Sequence, residues 1–308
     1  MLRLLPFALL FISHALADVV TINPVADTTL FEANPNENWG AQTESVAGTL
    51  KTGEKSRVLM RFDIHAHVPN GSTITAARLK TTVTRQPSSS PPAIVNSNFQ
   101  LIRVLVPWAE GNKSGGIPGG DQATAGETTW NERFFSDASE TWSRAGGQFE
   151  SDYAEDPSAS QFVSGLSDYL FSFNSQGIRE VQSMLENAGS NYGWVLLTQN
   201  ENAAKSARRF ASREHASDPP ELEVTFTPPL PQAKFEITSV RYNGAGDLTV
   251  EFNSSPGRNY RLETTTELHS GNWIPAPDVI PASGNRTTAT VSPPENENRL
   301  FVRVSVIN

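Results

Sequence analysis

Lys205, Arg208, Arg209 and Arg213 form a tight basic run in a chain where 33 acids outnumber 24 bases. Guanidinium forks take carboxylate and sulfate groups bidentately, so this run is a candidate anion site. On an extended strand Arg209, Ala211 and Arg213 share one face, and Arg208, Phe210 and Ser212 share the other. That reading puts Arg209 and Arg213 on one sheet face and turns Phe210 to the core. Arg57 and Arg61, at the strand period of another run, extend the same patch. The competing role for each is an ion pair with the protein's own carboxylates. For Arg213, next to Glu214, the two roles stand level.

Aromatic rings offer a second chemistry, because sugar C–H faces pack on them. Trp39, Trp108, Trp130 and Trp142 lie in or beside loops. Trp142, between Thr141 and Ser143, is the stacking candidate, and Trp194 sits inside a strand pattern as core. Asp27, Glu32, Asn36 and Asn38 are close in sequence and carry hard oxygens. They are a candidate set for a structural Ca²⁺, which takes six to eight such ligands. The same residue types also serve Asx turns and caps.

Signals for catalysis are poor. His65 and His67 fall on one face of an extended segment, a surface strand end. No zinc-protease helix, P-loop, nucleophile elbow or dinucleotide fingerprint occurs. Glu127, Asp137, Glu150 and Asp152 are loop acids whose simplest role is solvation. No catalytic residue is assigned, and an enzyme is not expected.

The elements that must position these groups are mostly strands. Val58, Met60, Phe62 and Ile64 alternate with Leu59, Arg61 and Asp63. The run from Phe99 to Val106 is apolar on both faces in its second half, which places it mid-sheet. Runs ending at Val83, around Trp194–Thr198 and at Leu222–Phe226 alternate likewise. Ile178, Val181 and Leu185 predict one helix, with Ser175 as its cap and Gly189 as its end. Long loops cover residues 85–97, 111–126 and 131–161. The segment from Thr227 to Gln232 reads as a linker, rich in proline. Beyond it, residues 233–308 alternate as a second, smaller all-β unit. The predicted layout is a signal peptide at 1–17, a sandwich at 18–227, a linker at 228–232 and an accessory domain at 233–308.

Composition narrows the function classes. A formal net charge of −9 argues against a globally basic nucleic-acid binder. The absence of cysteine excludes disulfides, thiol nucleophiles and cysteine-ligated metals. Residues 1–17 carry Arg3, the apolar run Leu4–Ile12 and the small pair Ala15 and Ala17, the pattern of a cleaved export signal. No run is long enough to span a bilayer as a helix. The expected location is secreted or cell-surface.

A set of ordered fragments carries a family likeness. It opens with Asp27-Thr28-Thr29-Leu30, Asn38-Trp39-Gly40-Ala41 and Arg61-Phe62-Asp63. It continues with Thr128-Thr129-Trp130-Asn131 and Ala145-Gly146-Gly147. It closes with Asn191-Tyr192-Gly193-Trp194 and the stretch from Ser206 to Glu214. Over residues 19–227 the chain resembles the DNRLRE, or disaggregatase-related, jelly roll, also classed as carbohydrate-binding module family 96. The family often has an acid where this chain has Gln148, and Asp where it has Glu180. The segment from Ser255 to Glu263 resembles small sandwich domains that end many secreted bacterial proteins.

The likeness implies an all-β fold, a jelly-roll β-sandwich followed by a small immunoglobulin-like β-sandwich. It also implies a secreted, non-catalytic protein that binds acidic, alginate-like polysaccharide. The binding set would be Arg57, Arg61, Trp142, Arg209 and Arg213. The expected partners are a polysaccharide and, through the C-terminal domain, the cell surface or secretion machinery, with no nucleic acid and no membrane span. Two other classes compete. One is a structural or adhesion protein of the cell surface or matrix. The other is a polysaccharide lyase or hydrolase.

Overall fold

The structure, a computed structural model, describes residues 17–116, 120–229, 236–243, 246–268, 271–293 and 299–307. Residues 1–16 of the predicted export signal, and most of the linker, lie outside that set. The chain divides into two compact units between Pro229 and Leu230, close to the predicted boundary. Both units are all-β.

The first unit runs β1 Asp18–Ile22, β2 Pro24–Phe31, β3 Glu37–Asn38, β4 Glu44–Thr49, β5 Lys55–Phe62 and a helical turn α1 Ile64–His67. It goes on through β6 Thr73–Arg85, β7 Ser97–Arg103, β8 Asp121–Gln122, β9 Ala159–Val163, β10 Asp168–Ser172 and α2 Ser175–Glu186. It closes with β11 Trp194–Thr198, β12 Arg208–Ala211 and β13 Glu221–Thr227. One continuous antiparallel path orders all but two of the strands as β1-β13-β6-β12-β4-β5-β11-β7-β9, with β10 added on β6 and β2 on β5, while β3 and β8 pair with each other. The path curls into a jelly-roll sandwich. Its two ends face each other, because Ile22, Leu79 and Leu222 share one core with Val58, Met60 and Leu101.

The runs ending at Val83 and at Trp194–Thr198 and Leu222–Phe226 form strands as alternation predicts, whereas β7 stops at Arg103, short of Val106, and β9 starts inside the predicted 131–161 loop. Helix α2 packs on this core through Val181, Met184 and Leu185. Its cap is Asn174, one residue before the expected Ser175. The Asn174 side chain accepts from the Gly177 N–H at 2.9 Å. Ile64 does not continue β5. Asp63 caps α1 by accepting from the Ala66 N–H, so His65 and His67 sit on a helical turn, not on an extended face. His65 Nδ1 meets the Leu185 carbonyl at 2.9 Å and His67 Nδ1 meets the Asp63 carbonyl at 2.8 Å.

The second face of β2-β5-β11-β7 is covered as well. Leu30, Leu59, Ile102, Val104, Val195 and Leu197 bury a second cluster under the long loop, with Trp108, Trp130, Trp142 and Tyr153. Burying each such side chain stabilises by roughly 1.5–3 kcal/mol, so the loop packs as a second layer of the core. Strand β5 is therefore buried on both faces, and only Lys55 and Arg61 keep partial exposure.

The second unit contains β14 Ile237–Tyr242, β15 Leu248–Asn253, β16 Asn259–Thr265, β17 Ile274–Pro275, β18 Ile280–Pro281, β19 Arg286–Val291 and β20 Phe301–Ile307. Its sheets are β14-β15-β19 and β17-β16-β18 with β20 on β16. They enclose Val250, Phe252, Tyr260 and Leu262 as a small immunoglobulin-like sandwich. Between β14 and β15 the Asn243 N–H donates to the Asp247 carbonyl at 2.8 Å.

Candidate functional site

Trp142 is 4% exposed and packs edge-tilted on Tyr153, with ring centroids 5.8 Å apart. Its indole N–H donates to the Thr129 carbonyl at 2.9 Å. It offers no platform for a sugar, and the stacking assignment is corrected: the ring is part of the second core. Trp39, Trp108 and Trp130 are buried too, and Trp194 is core as expected.

Arg57 is drawn into the same layer. Its Nε and Nη2 donate to both carboxylate oxygens of Glu201 at 2.7 and 2.6 Å. Its Nη1 donates to the Gly146 carbonyl at 2.6 Å, and the guanidinium lies 5.4 Å from the Trp130 ring centroid. Gly146 has φ +82, and a Cβ there would press on Trp130. This explains the Gly-Gly pair as a structural joint. Arg61 lies 5.6 Å from the Trp108 ring. Arg57 and Arg61 therefore do not extend an open patch; they brace the loop layer.

Arg213 lies beyond the end of β12, in a turn, so it shares no strand face with Arg209. Its Nε and Nη2 donate to Glu110 at 2.9 and 3.0 Å, and Nη2 pairs with Glu214 at 2.8 Å. Its backbone N–H donates to Asp27 Oδ2 at 2.7 Å. Burial pushes the Asp27 carboxyl up to about 8, with Glu214 and Glu110 adding to it, against the Arg213 hydrogen bond and charge. Burial likewise raises Glu110.

The predicted calcium set does not converge. Glu32 Oε2 accepts the Lys55 N–H at 2.8 Å and Asn36 Oδ1 accepts from Asn131 at 2.8 Å. Asn38 is fully buried and ties the Glu110 and Thr128 carbonyls at 2.7 and 2.9 Å. Only Asp27 meets other acids, Glu110 and Glu214, with oxygens within 4.8 Å of one another. Three carboxylates fall short of a calcium shell, and the Arg213 guanidinium already pairs with two of them. The arrangement fits an arginine-neutralised cluster and does not fit the ion. The loop acids are also engaged: Asp152 accepts from the Ser143 and Gln148 N–H groups, and Glu127 from those of Asn112 and Thr124.

Arg209 is different. It stands on the outward face of β12, opposite Val46 of β4 and Arg85 of β6. A cleft of about 190 Å³ opens there. Val46, Leu50, Pro87 and Ala207 give it an apolar lining, and Lys51, Arg85, Arg208 and Arg209 give it four cations, of which Arg208 is buried. Val46 and Ala207 belong to a small core with Phe31 and Trp39, so the lining is braced from within. The carboxylate beside it is Glu44, which pairs with Arg209 Nη1 at 2.8 Å. Burial works to raise Glu44, but hydrogen bonds from Arg209 and Thr84 and the charges of Arg209 and Arg85 hold it below the ordinary carboxylate range. Neither Lys51 nor Arg85 has an ion pair among the described residues. Lys51 and Arg85 are the residues the sequence reading missed. The signal available was position: both flank proline- or glycine-bearing turns next to the strands that pair with β12.

No family model matches the sequence, and no curated protein matches it. Among solved structures, the glycoside hydrolase domain of Spr0440, Endo-D from Streptococcus pneumoniae R6, matches at a TM-score of 0.17 and 7% identity. The match covers 95% of this chain and 37% of that one. A likeness this faint carries no argument about fold or function.

Proposed function

We propose that the protein is a secreted, non-catalytic binder of acidic polysaccharide, and that the Arg209 cleft is where it binds. The observation that carries this reading is the cleft itself: an apolar lining with Lys51, Arg85 and Arg209 around it and Glu44 as the neighbouring acid. Apolar surface suits the C–H face of a sugar, and guanidinium groups suit its carboxylate or sulfate. The ordered motifs that resemble the DNRLRE jelly roll support the same assignment. On this reading the C-terminal sandwich serves attachment.

The test is affinity electrophoresis through gels containing alginate, polygalacturonate or a neutral glucan. Retardation by the acidic gels, lost in an Arg85→Ala, Arg209→Ala variant that still folds, is the expected result. A second reading, a structural or adhesion brick, is favoured by the internal use of Arg57, Trp142 and Arg213. Unretarded migration in every gel would select it.

A further inference from the structure

The wall of the cleft at Gln86 and Pro87 begins the proline-rich segment 86–96, and two buried cations tie that segment down. Lys205 is fully buried at φ +61. Its Nζ donates to the carbonyls of Ser88 at 2.7 Å, Pro92 at 2.5 Å and Ser90. Three carbonyl acceptors need three N–H donors, which only the ammonium form supplies. Arg208, 1% exposed, spends all five N–H groups on neutral oxygens. These are the carbonyls of Ser164, Ser206, Ala207 and Val95 and the side chain of Asn96. Neither cation has an ion pair among the described residues. The Val95 N–H also donates back to the Lys205 carbonyl at 3.2 Å.

Two consequences follow. Moving the wall outward would strip buried ammonium and guanidinium groups of their acceptors, which opposes widening of the cleft of about 190 Å³. And two charges without counter-charge lie in the segment that leads into Arg209, adding to the positive potential of the cleft. Pockets for drug-sized ligands run from roughly 300 to 1,000 Å³, so this one admits a single ring. No aromatic side chain lines it to carry a chain across several rings.

We propose that the cleft takes one acidic sugar residue, and not a run of them, with its anionic group between Arg85 and Arg209. This rests on the acidic-glycan reading above. The experiment is a set of NMR titrations of the full mature chain, with affinities expressed per sugar residue. The probes are methyl mannuronoside, mannuronate tetramer and octamer, neutral methyl mannoside, and inorganic sulfate. Expected are per-residue affinities within about threefold across the three uronates. Methyl mannoside and sulfate should each be at least tenfold weaker, one lacking the charge and the other the apolar face. Per-residue affinity that climbs tenfold or more from monomer to octamer would overturn the single-residue site while leaving acidic-glycan binding intact. Sulfate as tight as the uronoside would make the cleft an oxyanion site and overturn the sugar assignment. No shift with any uronate would overturn both this inference and the function it rests on.

Discussion

Replacing Asp27 by asparagine tests the carboxylate cluster around Arg213. The folded carboxyl is pushed up to about 8, first by burial and then by Glu214 and Glu110. In the unfolded chain an aspartate titrates near about 4. Between these values the folded state holds a proton that the unfolded state has released. Stability from this group is therefore full at low pH and falls as pH rises, by about 1.4 kcal/mol per unit. From about pH 5 to about pH 7 the loss is about 3 kcal/mol. The substituted amide carries no charge at either pH, and its oxygen can still accept the Arg213 N–H that Asp27 accepts now. The difference in stability between Asp27→Asn and wild type should thus move about 3 kcal/mol in favour of the variant across that interval. Urea unfolding at the two pH values, followed by tryptophan fluorescence, reads it. Trp39, Trp108, Trp130, Trp142 and Trp194 all lie in the first unit, which makes the signal mainly its own. A difference that stays constant with pH would refute the reasoning, because Asp27 would then be ionised throughout.

Trp142→Ala should cost about 3–5 kcal/mol in urea unfolding, as loss of a packed core ring, and leave glycan affinity unchanged where the variant is folded. Gly193→Ala should cost about 3 kcal/mol or more, because φ is +73 there and a Cβ would overlap the Met60 carbonyl. Lys205→Met keeps the aliphatic stem but removes the buried ammonium that ties the Ser88, Ser90 and Pro92 carbonyls. It should lower stability by about 3 kcal/mol or more, and hydrogen exchange should speed up selectively in residues 86–96.

Much of the fold is legible in the chain because alternation is local. The runs at Val58–Phe62, Trp194–Thr198 and Leu222–Phe226 become β5, β11 and β13, and the Ile178/Val181/Leu185 spacing becomes α2. The proline-rich linker marks the division between the two units. The site is less legible, because its contacts are long-range. Arg57 has no partner in view along the sequence, yet Glu201, 144 positions away, closes on it. Asp27 groups with its sequence neighbours on residue type, but its partners are Glu110 and Glu214, brought in by the loop layer and by the turn after β12. A warning is present: Leu59, Val195 and Leu197 are apolar on the face that also carries Arg57 and Arg61, and apolar side chains there require a cover. Arg209 points outward, as strand periodicity predicts. Its companions, Lys51 and Arg85, come from a turn and a strand end that only sheet pairing brings together.

In the proposed function, the Arg209 cleft binds acidic glycan through exposed charge. The most direct measurement is the affinity of the protein for alginate at about 50 mM and about 500 mM salt, for wild type and for Arg85→Ala. Affinity should fall about tenfold or more between the two salt levels, because exposed charge pairs are screened over about 10 Å at 0.1 M. Arg85→Ala should weaken binding at low salt about tenfold with an unchanged melting temperature. Affinity that ignores both salt and the Arg85 substitution would contradict the proposed function.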